Sequence, residues 1–417
     1  MNLADRFPKE LEGLLRRIGE IGERAGFTVY AVGGFVRDLI LGVPNFDLDV
    51  VVEGDGRLFA RRLAEEMGGE VVSYDRFGTA TVRLEGERIE RLDVVTARKE
   101  RYPHPGALPE VEPGTMRDDL FRRDFTINAM AVKLNPSGYG ELLDPFDGLG
   151  DLKRGLIRVM HDKSFIDDPT RIFRAARFEQ RYDFRIEPHT ESLIRQAVEI
   201  NAPLTVSRQR IWHEIYLILS EPIPEKPILR LQELDALRFF RSDLSREGIG
   251  LFPRIRKFHG EIKGLVESEI DLPIAYLAAL IGGYTPRAVR EFCREFGLSK
   301  EIEDKLIDSV MLARFEGSLD RPSAIYRSFE RKSIESLIFF VALKGDEVKG
   351  AVIEYLTRLR HVKPLVKGDD LKRLGLKPGP IFGPLLKRLF DMQLDGQLRD
   401  KSELSDLLPK LLDELKP

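Results

Sequence analysis

AVGGFVRDLILGVPNFDLDVVVEG, residues 31–54, is the stretch that decides the fold of this chain. Before the turn at Gly33 and Gly34 the residues are apolar and predict a strand, and after it they predict a helix that ends at Gly42. Residues 46–53 alternate between polar and apolar side chains and predict a second strand. A strand, turn, helix and strand in this order indicate a small unit that contains both helices and a sheet.

Two acids stand out in the second predicted strand. Asp47 and Asp49 are two residues apart, so both side chains project from the same face of the strand. Two carboxylates this close repel each other unless a cation lies between them. Mg²⁺ prefers carboxylate and phosphate oxygens, and such ions can activate a 3′-hydroxyl and stabilise a pyrophosphate leaving group. The alternative for the pair is an ordinary solvated strand face.

The glycine turn predicts a phosphate site. Backbone amides at Gly33 and Gly34, at the start of a helix, can approach a triphosphate closely. Arg37 lies one turn into that helix and could reach the same phosphates. Asp93, on another predicted strand, could complete a metal site or act as the base for an attacking hydroxyl, although a simple strand-end aspartate would look the same.

Composition limits the class of protein. The 417 residues carry a net charge of -3 and 42% hydrophobic residues, which predicts two to four domains with real cores. Cys293 is the only cysteine, so an intramolecular disulfide and a cysteine-based zinc site are both excluded. Residues 1–26 predict an amphipathic helix without the apolar centre of a signal peptide, and no run is long enough to span a membrane. We expect a cytoplasmic protein.

The rest of the chain changes character part-way. Strands are predicted at residues 70–74, 79–84 and 88–96, and residues 97–122 predict a long loop with four prolines and clusters of both charges. After Asp167, helical periodicity dominates to the end and is broken at several prolines. A small mixed-structure head followed by an all-helical remainder is therefore expected.

Further motifs follow in a fixed order: RRDFTINAMA at residues 122–131, DPFDGLGDL at 144–152, DDPTRIFRAARF at 167–178, SRQRIWHEIYLIL at 207–219 and GLKPGPIFGPLLKRLFDMQLDG at 375–396. Together with the Gly-Gly turn and the D-x-D pair, they resemble class II CCA-adding enzymes and the related bacterial poly(A) polymerases. One position departs from the family pattern, because Asp167 stands where the family usually has glutamate.

The resemblance implies a fold and an organisation. The fold class is α+β, with a mixed-sheet nucleotidyltransferase head followed by an all-helical neck, body and tail. The expected domains are a catalytic head at residues 1–152, a neck that selects the base at 153–222, a body at 223–345 and a tRNA-binding tail at 346–417. In the family, the loop before the RRD motif is flexible, helps the switch to A addition and is shortened in CC-only members. The long loop here argues against a CC-adding enzyme.

The resemblance also implies an activity: Mg²⁺-dependent addition of C and A from CTP and ATP to the 3′ end of tRNA. The 3′-hydroxyl attacks the α-phosphate and pyrophosphate leaves. By resemblance, Asp47 and Asp49 would bind Mg²⁺. The nucleotide-binding residues would be Gly34, Arg37, Arg123, Asp168, Arg171, Arg174 and Arg177.

The base edges give Asp168 and Arg171 a separate physical argument. Cytosine and adenine place an amino donor beside an unprotonated ring nitrogen, whereas uracil and guanine present a carbonyl there. An ionised aspartate only accepts and an arginine only donates, so the pair would favour C and A. The alternative is a helix capped by Asp168, with Pro169 in its first turn and a basic face. That face has Arg171, Arg174 and Arg177 at a spacing of three, which is unfavourable unless anions are near.

Several alternatives remain open. An A-adding enzyme that completes tRNA ending in CC and a poly(A) polymerase share these motifs, and an RNA-binding protein with an inactive transferase head is the alternative of another class. Residues 349–392 contain ten Lys or Arg against four Asp or Glu, which predicts RNA-backbone contact or a solvated helix face. His161 and Asp162 resemble a phosphohydrolase dyad but lack companion histidines, so a local turn is expected.

Overall fold

The computed structural model describes residues 1–74, 78–84, 89 and 91–414 of the chain. The described chain divides into two compact units, Met1–Ser242 and Asp243–Pro417. The division into head, neck, body and tail at the boundaries given above stays a prediction.

The first unit contains all the strands that the structure describes. They are β1 Thr28–Val32, β2 Asp49–Glu53, β3 Glu70–Tyr74, β4 Thr79–Arg83, β5 Arg91–Thr96, β6 Arg98–Arg101, β7 Glu110–Pro113, β8 Ala131–Lys133, β9 Leu142–Leu143, β10 Leu156–Ile157 and β11 Arg185–Ile186. Seven of them form one sheet in the order β3-β4-β5-β2-β1-β8-β9. Only β2 and β5 pair in parallel in it, so the sheet is mixed, as expected.

The helices of the first unit are α1 Lys9–Arg24, α2 Gly34–Leu41, α3 Gly56–Met67, α4 Met116–Phe121, α5 Gly148–Arg154, α6 Ser164–Asp167, α7 Arg171–Tyr182, α8 Pro188–Glu199, α9 Arg208–Leu219 and α10 Glu225–Glu233. Short 3-10 turns lie at Ala4–Arg6, Thr126–Asn128, Ala202–Thr205 and Leu237–Phe239. The predicted strands and helices around the Gly-Gly turn are present, with ends displaced by one to three residues. Residues 88 and 90 of the predicted strand 88–96 lie outside the described residues.

The second unit is helical throughout its described part. Its α-helices are α11 Arg246–Ile249, α12 Phe252–Ile262, α13 Leu272–Leu280, α14 Pro286–Phe296, α15 Lys300–Ala313, α16 Pro322–Phe329, α17 Ile334–Lys344, α18 Asp346–Thr357, α19 Gly368–Arg373, α20 Phe382–Leu394 and α21 Leu404–Glu414, with 3-10 turns at Leu359–His361 and Lys401–Glu403. Across the described parts of the chain, no helix combines the length and the apolar character needed to cross a bilayer. The α+β class with a helical remainder is confirmed.

The prediction of a long loop at residues 97–122 is wrong. These residues form the β6–β7 hairpin and α4. The register of the hairpin places residues of opposite charge on facing positions, with Lys99 opposite Glu112 and Arg101 opposite Glu110. Opposite charges on facing strands stabilise such a pair. Thr115 then begins α4 with a complete capping box.

The strand predicted at residues 46–53 begins later than expected. Strand β2 starts at Asp49, so Asp47 lies just before the strand rather than on it. The Asn45 side-chain oxygen accepts a hydrogen bond from the backbone amide of Asp47 at 2.8 Å. An asparagine turn of this kind keeps the preceding residues out of the ladder. Leu48, between the two acids, is buried, so both carboxylates still lie away from the core.

Candidate active site

A cleft of about 930 Å³ opens on the first unit. It is lined by ten of the eleven residues that the sequence singled out: Gly33, Gly34, Arg37, Asp47, Asp49, Arg123, Asp168, Arg171, Arg174 and Arg177. These residues come from the β1–α2 turn and α2, the start of β2 and the segment just before it, the segment after α4, the end of α6, and α7. Asp93 does not line the cleft, although it lies next to Asp49 in the sheet.

The glycine turn and Arg123 are fitted to each other. Gly33 has φ 71° and ψ −131°, a conformation that favours glycine. A Cβ at this position would lie 2.6 Å from Nη1 of Arg123, so the guanidinium occupies the space that the missing side chain leaves. Nη2 of Arg123 donates to Asp119 at 3.1 Å. Its Nε is buried and, among the described residues, has no hydrogen-bond partner.

Three acids lie close together at the start of β2. Asp47 is exposed and Asp49 is half-buried, while Asp93 on β5 is the direct register partner of Asp49. Burial raises the pKa of Asp49, Arg123 opposes the rise, and the charges of Asp47 and Asp93 add to it. Oδ1 of Asp93 accepts a hydrogen bond from Thr81 at 2.6 Å. Within the described residues, no group of three His, Cys, Asp or Glu is arranged to hold a metal ion.

The chemistry of the Asp47–Asp49 pair fits a hard cation that is shared with a substrate. Like-charged neighbours disfavour ionisation of Asp49, and a divalent ion would remove that cost. Mg²⁺ typically binds through one or two carboxylates and completes its shell with phosphate oxygens and water. Two carboxylates at the open cleft are therefore a suitable protein contribution, and a closed three-ligand cage is not required.

Arg37 is held by protein groups. Its Nε and Nη2 donate to Asp38 at 2.8 and 2.9 Å, and Nη1 donates to Asn128 at 2.6 Å. The guanidinium also lies 4.8 Å from the ring centroid of Tyr182. With donors engaged on three sides, Arg37 supports the wall of the cleft in this structure. Direct contact with phosphate remains a prediction.

The arginine column of α7 is neutralised from within the protein. Nε and Nη2 of Arg174 bind Asp124 at 2.9 and 2.6 Å, and Arg177 lies 3.7 Å from Glu214 and 3.9 Å from Glu221. The spacing of these arginines predicted nearby anions, and the anions are carboxylates of the chain itself. The column alone is therefore not evidence for a nucleotide, although both arginines line the cleft.

Asp168 is not the helix cap that the sequence predicted. Thr170 occupies the N-cap position of α7, while Asp168 ends the short α6. The Asp168 Oδ1 accepts hydrogen bonds from the backbone amide of Thr170 at 3.1 Å, from Thr170 Oγ1 at 2.6 Å and from Arg210 Nη2 at 2.8 Å. Among the described residues, its Oδ2 accepts none, which leaves one carboxylate oxygen for a ligand.

Arg171 is almost completely buried. Its Nη1 donates to the Ser164 hydroxyl at 2.6 Å and its Nη2 to the backbone carbonyl of Arg122 at 2.7 Å. The side chain therefore connects α6, α7 and the RRD motif. A change at Arg171 would affect this support as well as any contact with a base.

Several other residues that line the cleft had no role predicted from the sequence. They include Asp38, Asn45, Glu100, Tyr102, Arg122, Asp124, Asn128, Tyr182, Gln209, Arg210, His213 and Glu214. Many lie inside the motifs quoted above, so the motifs signalled their importance without giving a role. The contact between Arg210 on α9 and Asp168 required the tertiary structure.

The chain was compared with known proteins. Residues 29–158 match the poly A polymerase head domain family. A CC-adding tRNA nucleotidyltransferase from Deinococcus radiodurans is 41% identical over 94% of this chain and 90% of its own length. The chain belongs to the tRNA nucleotidyltransferase family. An A-adding member from Geobacter sulfurreducens is 38% identical over 97% of this chain, which spans only 48% of that relative.

Solved structures of this family share the fold. The apo form II of a CCA-adding enzyme matches with a TM-score of 0.82 and 34% identity, over 99% of this chain and 98% of that one. A Thermotoga maritima CCA-adding enzyme in complex with tRNA_CCA matches with a TM-score of 0.75 and 33% identity, over 98% and 97% of the two chains. CCA-adding enzymes in complex with CTP and with ATP match with a TM-score of 0.80 each. The family generally uses divalent metal ions.

Gly33→Ala is expected to weaken nucleotide binding. The new Cβ would strain a backbone with φ 71° and push Arg123 from its position. Losing one charged donor costs roughly 1.5–3 kcal/mol, so KM for nucleoside triphosphate should rise by about tenfold or more. Gly13→Ala is the matched control, because a Cβ there meets nothing within 4 Å. Equal KM values for the two variants would refute the fit between turn and arginine.

Asp124→Asn is expected to destabilise the first unit in a pH-dependent way. Burial raises the pKa of Asp124, but Arg174 and Asn128 outweigh it and hold the pKa at about 2. In an unfolded chain the pKa is about 3.9. The ionised form therefore stabilises the fold above about pH 4, and this contribution is lost as the pH falls toward 2.

At neutral pH the variant should lose about 3 kcal/mol, because Arg174 would keep its charge without its main partner. The difference in melting temperature between wild type and variant should be constant from pH 7 to about pH 4 and should narrow as the pH falls further toward 2. The exposed Glu65 supplies the control Glu65→Gln, which should leave the melting temperature unchanged at every pH. A gap between wild type and Asp124→Asn that stays constant down to about pH 2 would contradict the assignment.

Proposed function

We propose that this chain adds C and A nucleotides from CTP and ATP to the 3′ end of tRNA without a nucleic-acid template. The observation that carries the proposal is the cleft that holds the Asp47–Asp49 pair, the Gly33 turn and the Arg123 guanidinium beside that turn. Relatives named for A, CC and CCA addition support the substrate class. Because the chain spans about half of one such relative, the activity of the whole protein is part of the proposal.

The reaction joins the RNA and the nucleotide through one new phosphodiester bond. The terminal 3′-oxygen of RNA bonds to the α-phosphorus, the bond from that phosphorus to the bridging oxygen of the β-phosphate breaks, and pyrophosphate leaves. The hydroxyl proton is lost to a base. Mg²⁺, held by Asp47 and Asp49 when bound, would offset phosphate charge and make the hydroxyl easier to ionise.

The side chains supply positioning and charge. Arg123 lines the cleft, and its Nη2 is anchored on Asp119, so its guanidinium is a fixed positive charge for a triphosphate. Amides of Gly33 and Gly34 can approach the phosphates without a side chain in the way. Asp93, next to Asp49, is proposed as the third acid, either completing the metal site or accepting the proton.

Base selection is proposed for Asp168 and Arg171. The free Oδ2 of Asp168 would accept the amino group of cytosine or adenine, and Arg171 would face the ring nitrogen. Arg174 and Arg177 would line the same pocket with their carboxylate partners. Uracil or guanine would place acceptor against acceptor at Asp168. Each mispaired buried group costs roughly 1–3 kcal/mol, which suffices for useful discrimination.

The remaining parts of the chain are proposed to serve RNA binding. Nine of the ten basic residues in residues 349–392 are exposed, and the tenth, Lys349, is ion-paired with Glu261. Exposed basic helix faces give phosphate contacts that do not depend on sequence. We propose that this segment binds the tRNA backbone, and that the head, neck, body and tail follow the boundaries given from the sequence. A role in tRNA processing also favours a cytoplasmic location.

One assay tests the function and separates its alternatives. The purified chain is incubated with CTP alone, ATP alone, or both, on tRNAs that end before CCA or after CC, and products are sized. Addition of C, C and A with both nucleotides supports the proposal. ATP incorporation only on tRNA ending in CC would identify an A-adding enzyme, and long A tails on other RNA a poly(A) polymerase. No transfer to any RNA would favour a protein that only binds RNA.

A further inference from the structure

A second cleft of about 720 Å³ opens beside the nucleotide cleft. The two clefts share four lining residues, Glu100, Tyr102, Arg122 and Arg171. These residues form a common wall, so a molecule in the second cleft would lie next to a nucleotide in the first. Nothing in the proposed function so far assigns an occupant to this second space.

Two rings, Phe121 and His161, line the second cleft, and a third, Phe146, lies beside Phe121. Phe121, the last residue of α4, has its ring centroid 5.7 Å from that of Phe146 and 5.1 Å from that of His161. Phe121 is 44% exposed, so part of its surface is open to a ligand. Phe146 packs on the core of the head and anchors the group. We call Phe121, Phe146 and His161 the aromatic platform.

Charges at this cleft are balanced and largely paired. Lys99 lies 3.7 Å from Asp118, Arg122 binds Glu100 at 3.2 Å, and Asp162 binds His189 at 2.9 Å. Because Asp162 binds His189, His161 lacks the partner that a phosphohydrolase dyad would need. A second triphosphate would find little excess positive charge here. A flat, uncharged group would fit better.

We propose that the aromatic platform stacks a nucleobase near the 3′ end of the acceptor RNA while the incoming nucleotide occupies the neighbouring cleft. This inference rests on the proposed function. Single-stranded RNA ends are bound by stacking unpaired bases on aromatic side chains, a contact that tolerates any base. A growing end changes its sequence at each addition, so a stacking site suits it better than one that reads hydrogen bonds.

The position of Phe121 in the chain connects the aromatic platform to the triphosphate site. Phe121 is followed directly by Arg122, which is part of the shared wall, and by Arg123, which contacts the Gly33 turn. The two residues that follow Phe121 in the chain would thus fix the position of a base on Phe121 relative to the triphosphate site. Burial and the charge of Arg171 lower the pKa of His161, so its ring stacks as neutral imidazole at neutral pH.

The test uses the full chain and an acceptor tRNA in which 2-aminopurine replaces one base near the 3′ end. Stacking quenches 2-aminopurine fluorescence, so wild type should quench the probe on binding, without any nucleotide present. Phe121→Ala should lose the quenching and raise KM for acceptor tRNA by about tenfold to a hundredfold, as expected for one lost stacking contact. KM for CTP and ATP should stay within about twofold. Phe121→Trp should restore both readouts.

Leu58→Ala is the matched control, because Leu58 is 45% exposed on α3 and lines neither cleft. It should behave as wild type. Quenching and acceptor KM unchanged in Phe121→Ala, while wild type still transfers nucleotides, would overturn the platform and leave the proposed function intact. Absence of transfer by wild type on every RNA would instead reject the proposed function. If the melting temperature of Phe121→Ala is lowered, the proposal is tested by whether Phe121→Trp restores the quenching and the KM for acceptor tRNA.

Discussion

Asp49→Asn is expected to reduce nucleotide transfer by about a thousandfold or more. Asparagine keeps the size and one acceptor oxygen of Asp49 but removes the charge that a divalent ion requires. Metal-ion catalysis supplies several kcal/mol of transition-state stabilisation, and each 1.36 kcal/mol corresponds to a factor of ten in rate. The effect should appear in kcat for incorporation of radiolabelled nucleotide into tRNA that lacks its 3′ end. Asp47→Ala should behave similarly.

Two companion variants make this experiment decisive. Asp93→Asn should also lower kcat if Asp93 is the third acid, and should leave kcat near wild type if Asp93 only accepts hydrogen bonds from Thr81 and Arg91. Glu65→Gln, on the exposed face of α3, should retain full activity. Should Asp49→Asn and Asp47→Ala keep more than a tenth of wild-type kcat, the proposed metal site is in the wrong place.

Arg171→Ala is expected to cost the enzyme its preference for C and A over U and G. One mispaired group is worth roughly 1–3 kcal/mol, so discrimination should fall by about 5- to 150-fold. Because Arg171 is also a buried support for Ser164 and the Arg122 carbonyl, total activity and stability will fall as well. The informative quantity is therefore the ratio of kcat/KM for CTP to that for UTP, which does not depend on the amount of folded protein.

Arg195→Ala provides the matched control for Arg171→Ala. Arg195 is exposed on α8 and pairs with Glu191, so its removal should leave both activity and the CTP to UTP ratio unchanged. If Arg171→Ala kept the wild-type ratio in single-nucleotide incorporation, base selection by the Asp168–Arg171 pair would have to be abandoned. The role of Arg171 would then be confined to holding α6 against the RRD motif.

Local pattern predicted much of the head. The Gly-Gly turn, the helix after it and the strands that flank it were correctly placed because their signals lie within a few residues of one another. The predicted strand boundary was wrong where a side chain competes with the backbone hydrogen bonds of the sheet, as Asn45 does before Asp49. The hairpin within residues 97–122 was missed because its two strands pair across an intervening segment, and a register that places Lys99 opposite Glu112 cannot be read along one strand.

By itself the sequence determined the chemistry of the candidate site: the acid pair, the glycine turn, the RRD motif and the DDPTR motif, since each is a short run in which residue type and spacing carry the meaning. Only the tertiary structure decided how these groups are partnered. Folding places Asp124 against Arg174 and Arg210 against Asp168, and it leaves the Nε of Arg123 buried without a partner. Burial and long-range pairing set which charges are neutralised and which remain for a substrate, and neither can be read from neighbours along the chain.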